Sequence, residues 1–265
     1  MTPPQKPFSA IHFAKTGIIV FIAAAASALT FSLPPIPQPQ AYLNFADTRT
    51  WLGIPNFGDV VSNIAFVVVG VLGLRRLSIY WKDTNRFADP KEAIPFLIAF
   101  TGLILVGPGS AYFHWAPSNE SLVWDRLPIS LVIMAFLSTI IAERIHLKTG
   151  LFLLPILLLA GIISVVYWGV TESAGRGDLR PYILTLFLPI LVIPVLLLLF
   201  PPRYTGVPII VEILIGYGVA RVFEHYDHWV FEMTNGAISG HSAKHLVMAW
   251  AAWGYVRYMR SRMRI

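Results

Sequence analysis

The sequence predicts an all-α integral membrane protein of about eight hydrophobic helices. Two observations carry that expectation. Of 265 residues, 56% are hydrophobic and only 13% charged, and the mean hydropathy of +0.66 exceeds what a domain with a water-facing surface carries. The apolar residues also stand in unbroken blocks. The runs "YILTLFLPILVIPVLLLLF" from Tyr182 and "LFLLPILLLAGIISVVYWGV" from Leu151 match the roughly 20 residues that cross a ~30 Å hydrocarbon core.

In chain order the expected spans are Thr16 to Leu33, Val60 to Leu74, Ile94 to His114, Leu122 to Ala142, Leu151 to Val170, Tyr182 to Phe200, Val207 to Phe223, and His241 to Tyr258. The first follows Lys6 and Lys15 and is rich in alanine, so it also fits a cleaved signal peptide. No soluble domain follows it, which favours a retained helix. Short turns rich in Pro and Gly separate the spans, among them "PPIPQPQ", "SAGRGD" and "PPRYTG". No linker divides the chain and no internal repeat is visible, which gives no support to a two-fold transporter architecture.

The charges exclude some functions and orient the chain. With no cysteine, neither a disulfide framework nor a thiolate metal site can form. The net charge of +6 sits in short loops between spans, so the positive-inside rule accounts for it better than nucleic-acid binding does. Fourteen of the twenty Lys and Arg residues fall on one side, including Lys6, Arg75, Arg76, Arg144, Arg203 and Arg260. Arg49, Arg176 and Arg180 are the loop cations of the other side. Both termini are therefore expected in the cytoplasm, with the loops around Pro117, Glu172 and Trp229 outside.

Ionisable groups within or beside spans are costly unless paired, hydrated or ligating metal, so they mark sites. Here they collect at the expected outer ends: Asp59, Ser62 and Asn63 in "NFGDVVSN"; Ser110 and His114 in "GPGSAYFHW"; Asp125 and Arg126 in "WDRLP"; Arg221, Glu224, His225, Asp227 and His228 in "ARVFEHYDH"; His241, Lys244 and His245 in "GHSAKH". His241 and His245, four apart, share one helix face as two ligands of one ion must. His114 offers a third imidazole and Asp125 a carboxylate at similar depth, and three imidazoles with a water form an open, catalytic kind of zinc site. Ser110 lies one turn before His114. Bland readings compete: Gly107, Gly109 and Ser110 as a small-residue packing surface, Asp125 as a helix cap or a partner of Arg126 or Arg221, and His225 and His228 as rival ligands in an outer loop. Glu212 sits mid-span without an evident partner.

Together, "VSN" at Ser62 and Asn63, "GSAYFH" covering Ser110 and His114, "WDRLP" with Asp125, and the final "HSAKH" resemble the alkaline ceramidase family, within a superfamily of membrane hydrolases that includes adiponectin-receptor-like proteins. The resemblance runs from about Asn56 to Tyr258. It implies a seven-transmembrane-helix bundle at 56–265, preceded by an additional N-terminal hydrophobic helix and outer linker at 1–55. It implies zinc ligands at His114, His241 and His245, Asp125 and Ser110 as the catalytic pair, and hydrolysis of the amide bond of ceramide or a related lipid amide to fatty acid and sphingoid base. Asn56 stands where the family's acidic calcium cluster begins, and Asp47 and Asp59 are the only nearby carboxylates, so calcium dependence is not carried over. From the residues alone two rivals stay open. One is a haem-binding electron carrier using His114 with His241 or His245; the other is a receptor-like protein with a structural metal.

Overall fold

A computed structural model describes residues 10–265, so Lys6, counted in the charge asymmetry, lies outside the described residues. These residues form helices joined by turns and, between Ser32 and Phe57, by a long irregular segment, with no strand among them. In order they are α1 (Ala10–Ser32), α2 (Phe57–Val61), α3 (Ile64–Tyr80), α4 (Ala93–Trp115), α5 (Asn119–Arg144), α6 (Leu147–Ser173), α7 (Arg180–Leu199), α8 (Val207–His225), α9 (Asp227–Met233) and α10 (Gly240–Ser261). Six segments are long and apolar enough to cross a membrane: α1, α2 with α3, α4, α5, α6 and α7. Helices α8 and α10 have similar lengths but carry more charge, including Glu212, Arg221, Glu224 and Lys244. The set fits an integral multi-pass protein, and its outer face agrees: Phe21, Phe152 and Leu198 are all exposed, which only an apolar surrounding tolerates over so wide a surface.

Local chemistry sets the helix boundaries. Helix α5 opens on a capping box in which Ser118 and Ser121 satisfy each other's backbone N–H. Ser239 caps α10 by accepting from Ser242 N. Proline follows the first residue of both α7 and α8, where its missing N–H costs nothing. The second expected span begins earlier and ends later than its apolar run, and it breaks at Ser62 and Asn63. There Asn63 Nδ2 donates to the Asp59 carbonyl at 2.7 Å, a side-chain bond that competes with the helical ladder.

Helix α4 packs between α3 and α5, α10 between α3 and α8, and α1 lies against α7. Two glycines let α4 approach this closely. A Cβ on Gly107 would strike Val67 of α3, and one on Gly109 would strike the Trp124 carbonyl of α5. The main core runs through the bundle around Phe96, Phe100, Leu103, Ile140 and Tyr255. A second, smaller cluster of Phe45, Phe113, Leu122, Trp168 and Tyr182 closes the end where the polar residues gather.

Candidate metal and hydrolase site

His114, near the end of α4, and His241 and His245, on the first turns of α10, are all buried and bring their ligand atoms within 4.8 Å of one another. Nε2 of His114 and Nε2 of His241 are 3.1 Å apart. Two imidazole nitrogens sharing one zinc at about 2.1 Å each stand roughly 3.3 Å from one another, so this pair fits a common ion. Three neutral imidazoles without cysteine are also a donor set that suits zinc and leaves a coordination position open. Nδ1 of His245 is engaged by Ser62 Oγ at 2.8 Å, which leaves its other nitrogen for an ion and fixes the ring. The same spacing speaks against His114 with His241 as the axial pair of a haem. Axial imidazoles must stand on either side of a porphyrin plane, and nitrogens 3.1 Å apart leave no room for one.

One group competes with an ion. Lys244 Nζ lies 2.8 Å from His241 Nε2, and that lone pair can serve the ammonium or a metal but not both. Glu224 Oε1, 3.2 Å from the same Nζ, offers the ammonium another partner. Glu224 is also ion-paired with Arg221.

Asp125 and Ser110 stand beside the imidazoles. Both are buried, their side chains interact, and with His245 they line the polar end of a cavity of about 350 Å³. Its remaining wall is largely apolar, built from α5, α7, α8 and α10 by residues such as Ile133, Leu186, Ile190, Leu214 and Met248. The competing readings of Asp125 are corrected here. It is not a cap, because Ser118 caps α5 two turns earlier, and no ion pair joins it to Arg126 or Arg221 among the described residues. Gly107 and Gly109 do form a packing surface, but Ser110 faces the cavity as well, so the two readings coexist.

Polar anchors around the start of α10 hold the imidazoles. Asp59 Oδ1 accepts from Ser239 Oγ at 2.7 Å and from Ser242 Oγ at 2.6 Å. Asp227 accepts from His241 N at 2.7 Å and from Ala46 N at 2.9 Å. The second of these bonds draws in the segment after α1. Phe45 packs edge-on against His114 and His241, with ring centroids 4.7 and 4.6 Å away, so an apolar lid covers the imidazoles. Asp47 accepts from Gly58 N at 2.8 Å and is gripped by Arg49 at 2.7 Å. Burial alone would raise the Asp47 carboxyl; the hydrogen bonds from Arg49 and Gly58 outweigh it and hold the group below the ordinary carboxylate range.

His225 and His228 do not join the cluster. His225 ends α8 with its ring edge-on to Tyr226, and His228 lies on the short helix α9, its Nε2 3.2 Å from the Asn44 carbonyl. Glu212 has the partner that the sequence did not reveal: Arg257 of α10. Asp227, marked in the sequence, shapes the site, as do Phe45, Ser239 and Ser242, which had not stood out. Of those three, only the Ser239 cap carried a local signal, a serine just before an apolar helix.

A family model described as Ceramidase matches residues 53–199, more than half of the chain. No curated protein matches it. The matched stretch contains Ser110, His114 and Asp125, and the fold returns His241 and His245 to them from beyond its end. The chain belongs to the Ceramidase family.

Proposed function

We propose that this protein is a zinc-dependent hydrolase of the membrane that cleaves the amide bond of ceramide or a related lipid amide, releasing a fatty acid and a sphingoid base. The observation that carries the proposal is the meeting of three buried imidazoles with Asp125 and Ser110 at the polar end of an apolar cavity. His114, His241 and His245 would hold the ion, and bound zinc supplies Lewis-acid polarisation and lowers the pKa of a water to about 7.

The remaining roles belong to the chain. Asp125 takes the proton of the attacking water as that oxygen bonds to the amide carbon, and returns it to the leaving nitrogen as the C–N bond breaks. Ser110 donates its O–H to the carbonyl oxygen as charge develops there. The apolar wall takes up the acyl chains and Phe45 keeps bulk water from the imidazoles. Helices α7 and α8 both line the cavity, and the reading has a two-chain lipid reach the polar end from the side. The reading places seven helices, from α2 with α3 to α10, around this site, with α1 as an addition against α7. It places both termini in the cytoplasm and the site in the extracytoplasmic half, which the asymmetry of basic loop residues supports.

Asp125→Asn tests the proposal, since it keeps the shape of the group but cannot accept a proton. Zinc content should stay at the wild-type level while hydrolysis of a ceramide falls by about 10²–10⁴. Ser110→Ala should also keep metal, with a loss on the order of 10²–10³. Normal hydrolysis by Asp125→Asn removes its role as base. A wild-type protein that holds zinc yet cleaves no lipid amide is the receptor-like alternative.

A further inference from the structure

Asp125 has a neighbour in sequence that the hydrolytic roles leave unused. Arg126 is only 5% exposed, and a guanidinium stays charged at any physiological pH. Its Nη2 donates to Gln38 Oε1 at 2.7 Å, a neutral acceptor. Its plane is boxed by aromatic rings, with centroids at 4.1 Å for Trp168, 4.7 Å for Tyr182 and 5.7 Å for Tyr42. No carboxylate pairs with it among the described residues, and its Nη1 is buried without an acceptor. Trp168 Nε1, on the nearest of the three rings, is a second buried donor without one. A buried cation with a donor left over is an expensive arrangement unless something else completes it.

Arg126 itself lines the cavity beside Asp125, so its guanidinium borders a space that a ligand can occupy. Three cations line this polar end, Arg126, Arg221 and Lys244, against two carboxylates, Asp125 and Glu224. Glu224 is already shared by Arg221 and Lys244 and no ion pair joins Asp125 to Arg126 among the described residues, so this end holds one more cation than it has carboxylates. The rest of the wall is apolar and accommodates a long chain. A cavity of this kind selects an amphiphile with a hydrocarbon tail and an anionic oxygen head.

We propose that Arg126 is the anchor of a carboxylate site, in which its guanidinium donates to the head of a long-chain fatty acid lying in the cavity. The inference deepens the hydrolase reading, because a fatty acid is one product of that reaction. Its consequence is a bound product that occupies the cavity and competes with the neutral substrate.

The test needs binding and no turnover. Affinities of the full-length zinc-loaded protein for hexadecanoate, hexadecanol and hexadecanamide, three ligands of equal chain length, are compared at a pH where the acid is ionised. Wild type should bind the acid at least about tenfold more tightly than either neutral lipid, the scale of a charge-assisted hydrogen bond. Arg126→Gln should collapse that preference, and Arg126→Lys, which keeps the charge but loses the fork, should retain part of it. Should the glutamine variant fail to fold, the wild-type comparison and the lysine variant still decide. Equal affinity of wild type for acid and alcohol overturns the proposal. So does a full acid preference in Arg126→Gln, which would put the carboxylate on Lys244 or at the imidazoles. A protein that shows the Arg126-dependent preference but hydrolyses no amide keeps the carboxylate site and loses the hydrolase reading.

Discussion

Charge is buried at both ends of this bundle, and the same two helices bring it there. Helix α5 carries Asp125 and Arg126 near its start and Glu143 and Arg144 at its finish, about 27 Å away at roughly 1.5 Å per residue. Helix α10 carries His241, Lys244 and His245 at one end and Tyr258 at the other, followed by Arg262. At the far end the charges close on each other. Arg262 lies 2.8 Å from Glu92 and 4.0 Å from Glu143, Arg144 lies 3.6 Å from Glu143, and Tyr204 and Tyr258 donate to the same carboxylates. The Arg262 guanidinium lies 3.6 Å from the Tyr204 ring centroid. At the imidazole end three nitrogens of like character converge, a guanidinium has no ion-pair partner among the described residues, and a cavity opens beside them. Burial of ionisable groups is common to both ends, so it does not by itself mark a site. Convergence without compensation does, because such groups are satisfied only by something the chain does not contain.

The largest effect that can break this contrast is loss of the metal. His114→Ala, His241→Ala or His245→Ala each leave two protein ligands, too few for a zinc site. Zinc content should drop sharply, and turnover should fall by more than the roughly 10–100-fold that even outer-shell changes cost metal sites. Chelation of wild type should likewise abolish hydrolysis, and added zinc restore it. Elemental analysis alongside the assay decides: full zinc in all three variants would mean that the imidazole end is another structural cluster.

The complementary effect belongs to the far end. Arg262→Met removes a cation from between Glu92 and Glu143 and leaves those carboxylates buried and poorly paired, which costs about 3–5 kcal/mol in comparable sites. Unfolding of purified protein should show a loss of that size, while hydrolysis per folded molecule stays unchanged. A catalytic defect in a fully folded Arg262→Met protein would show that the two ends are coupled and that the contrast between them is false.

The sequence discloses these ends unequally. Spans such as Tyr182 to Phe200 are legible because crossing a membrane demands a long apolar run, and α7 covers nearly the same residues. The pairing of His241 with His245 is legible because i and i+4 share a helix face. What Asp125 and Arg126 do is not. Adjacent helical residues point about 100° apart at 3.6 residues per turn, so one faces Ser110 and the other an aromatic box on α6 and α7. Which neighbour each meets depends on how α5 is rotated in the bundle. Phe45 and Gln38 were illegible for another reason. They lie in an irregular segment whose packing over the imidazoles obeys no periodicity, and their partners stand far away in sequence: Phe45 against His241, Gln38 against Arg126. Glu212 and Arg257 were individually visible, but their pairing depends on α8 and α10 lying side by side.

The smallest effect is the sharpest test of the contrast, because it uses a paired charge at the imidazole end. If compensation and not location separates the two ends, Asp47 with Arg49 should behave like the far cluster and affect stability alone. Arg49 is 44% exposed, so solvent screens the pair and its contribution at neutral pH is on the order of 1 kcal/mol. The pH dependence follows from the direction of the shift. The Asp47 carboxyl is held below its ordinary value of 3.8, so its stabilisation is complete above that value and fades as pH falls through the lower, folded-state value. Asp47→Asn should therefore unfold slightly earlier than wild type at pH 7, and the gap should narrow below about pH 4, where the wild-type carboxylate also takes up its proton. Thermal unfolding of both proteins at several pH values reads this directly, and hydrolysis by the folded Asp47→Asn protein at pH 7 should remain at the wild-type level. A gap that stays constant down to the most acidic point would mean that the Asp47 charge contributes nothing to folding. A large loss of hydrolysis with stability unchanged would move Asp47 into the site itself and would make location, after all, the property that separates the two ends.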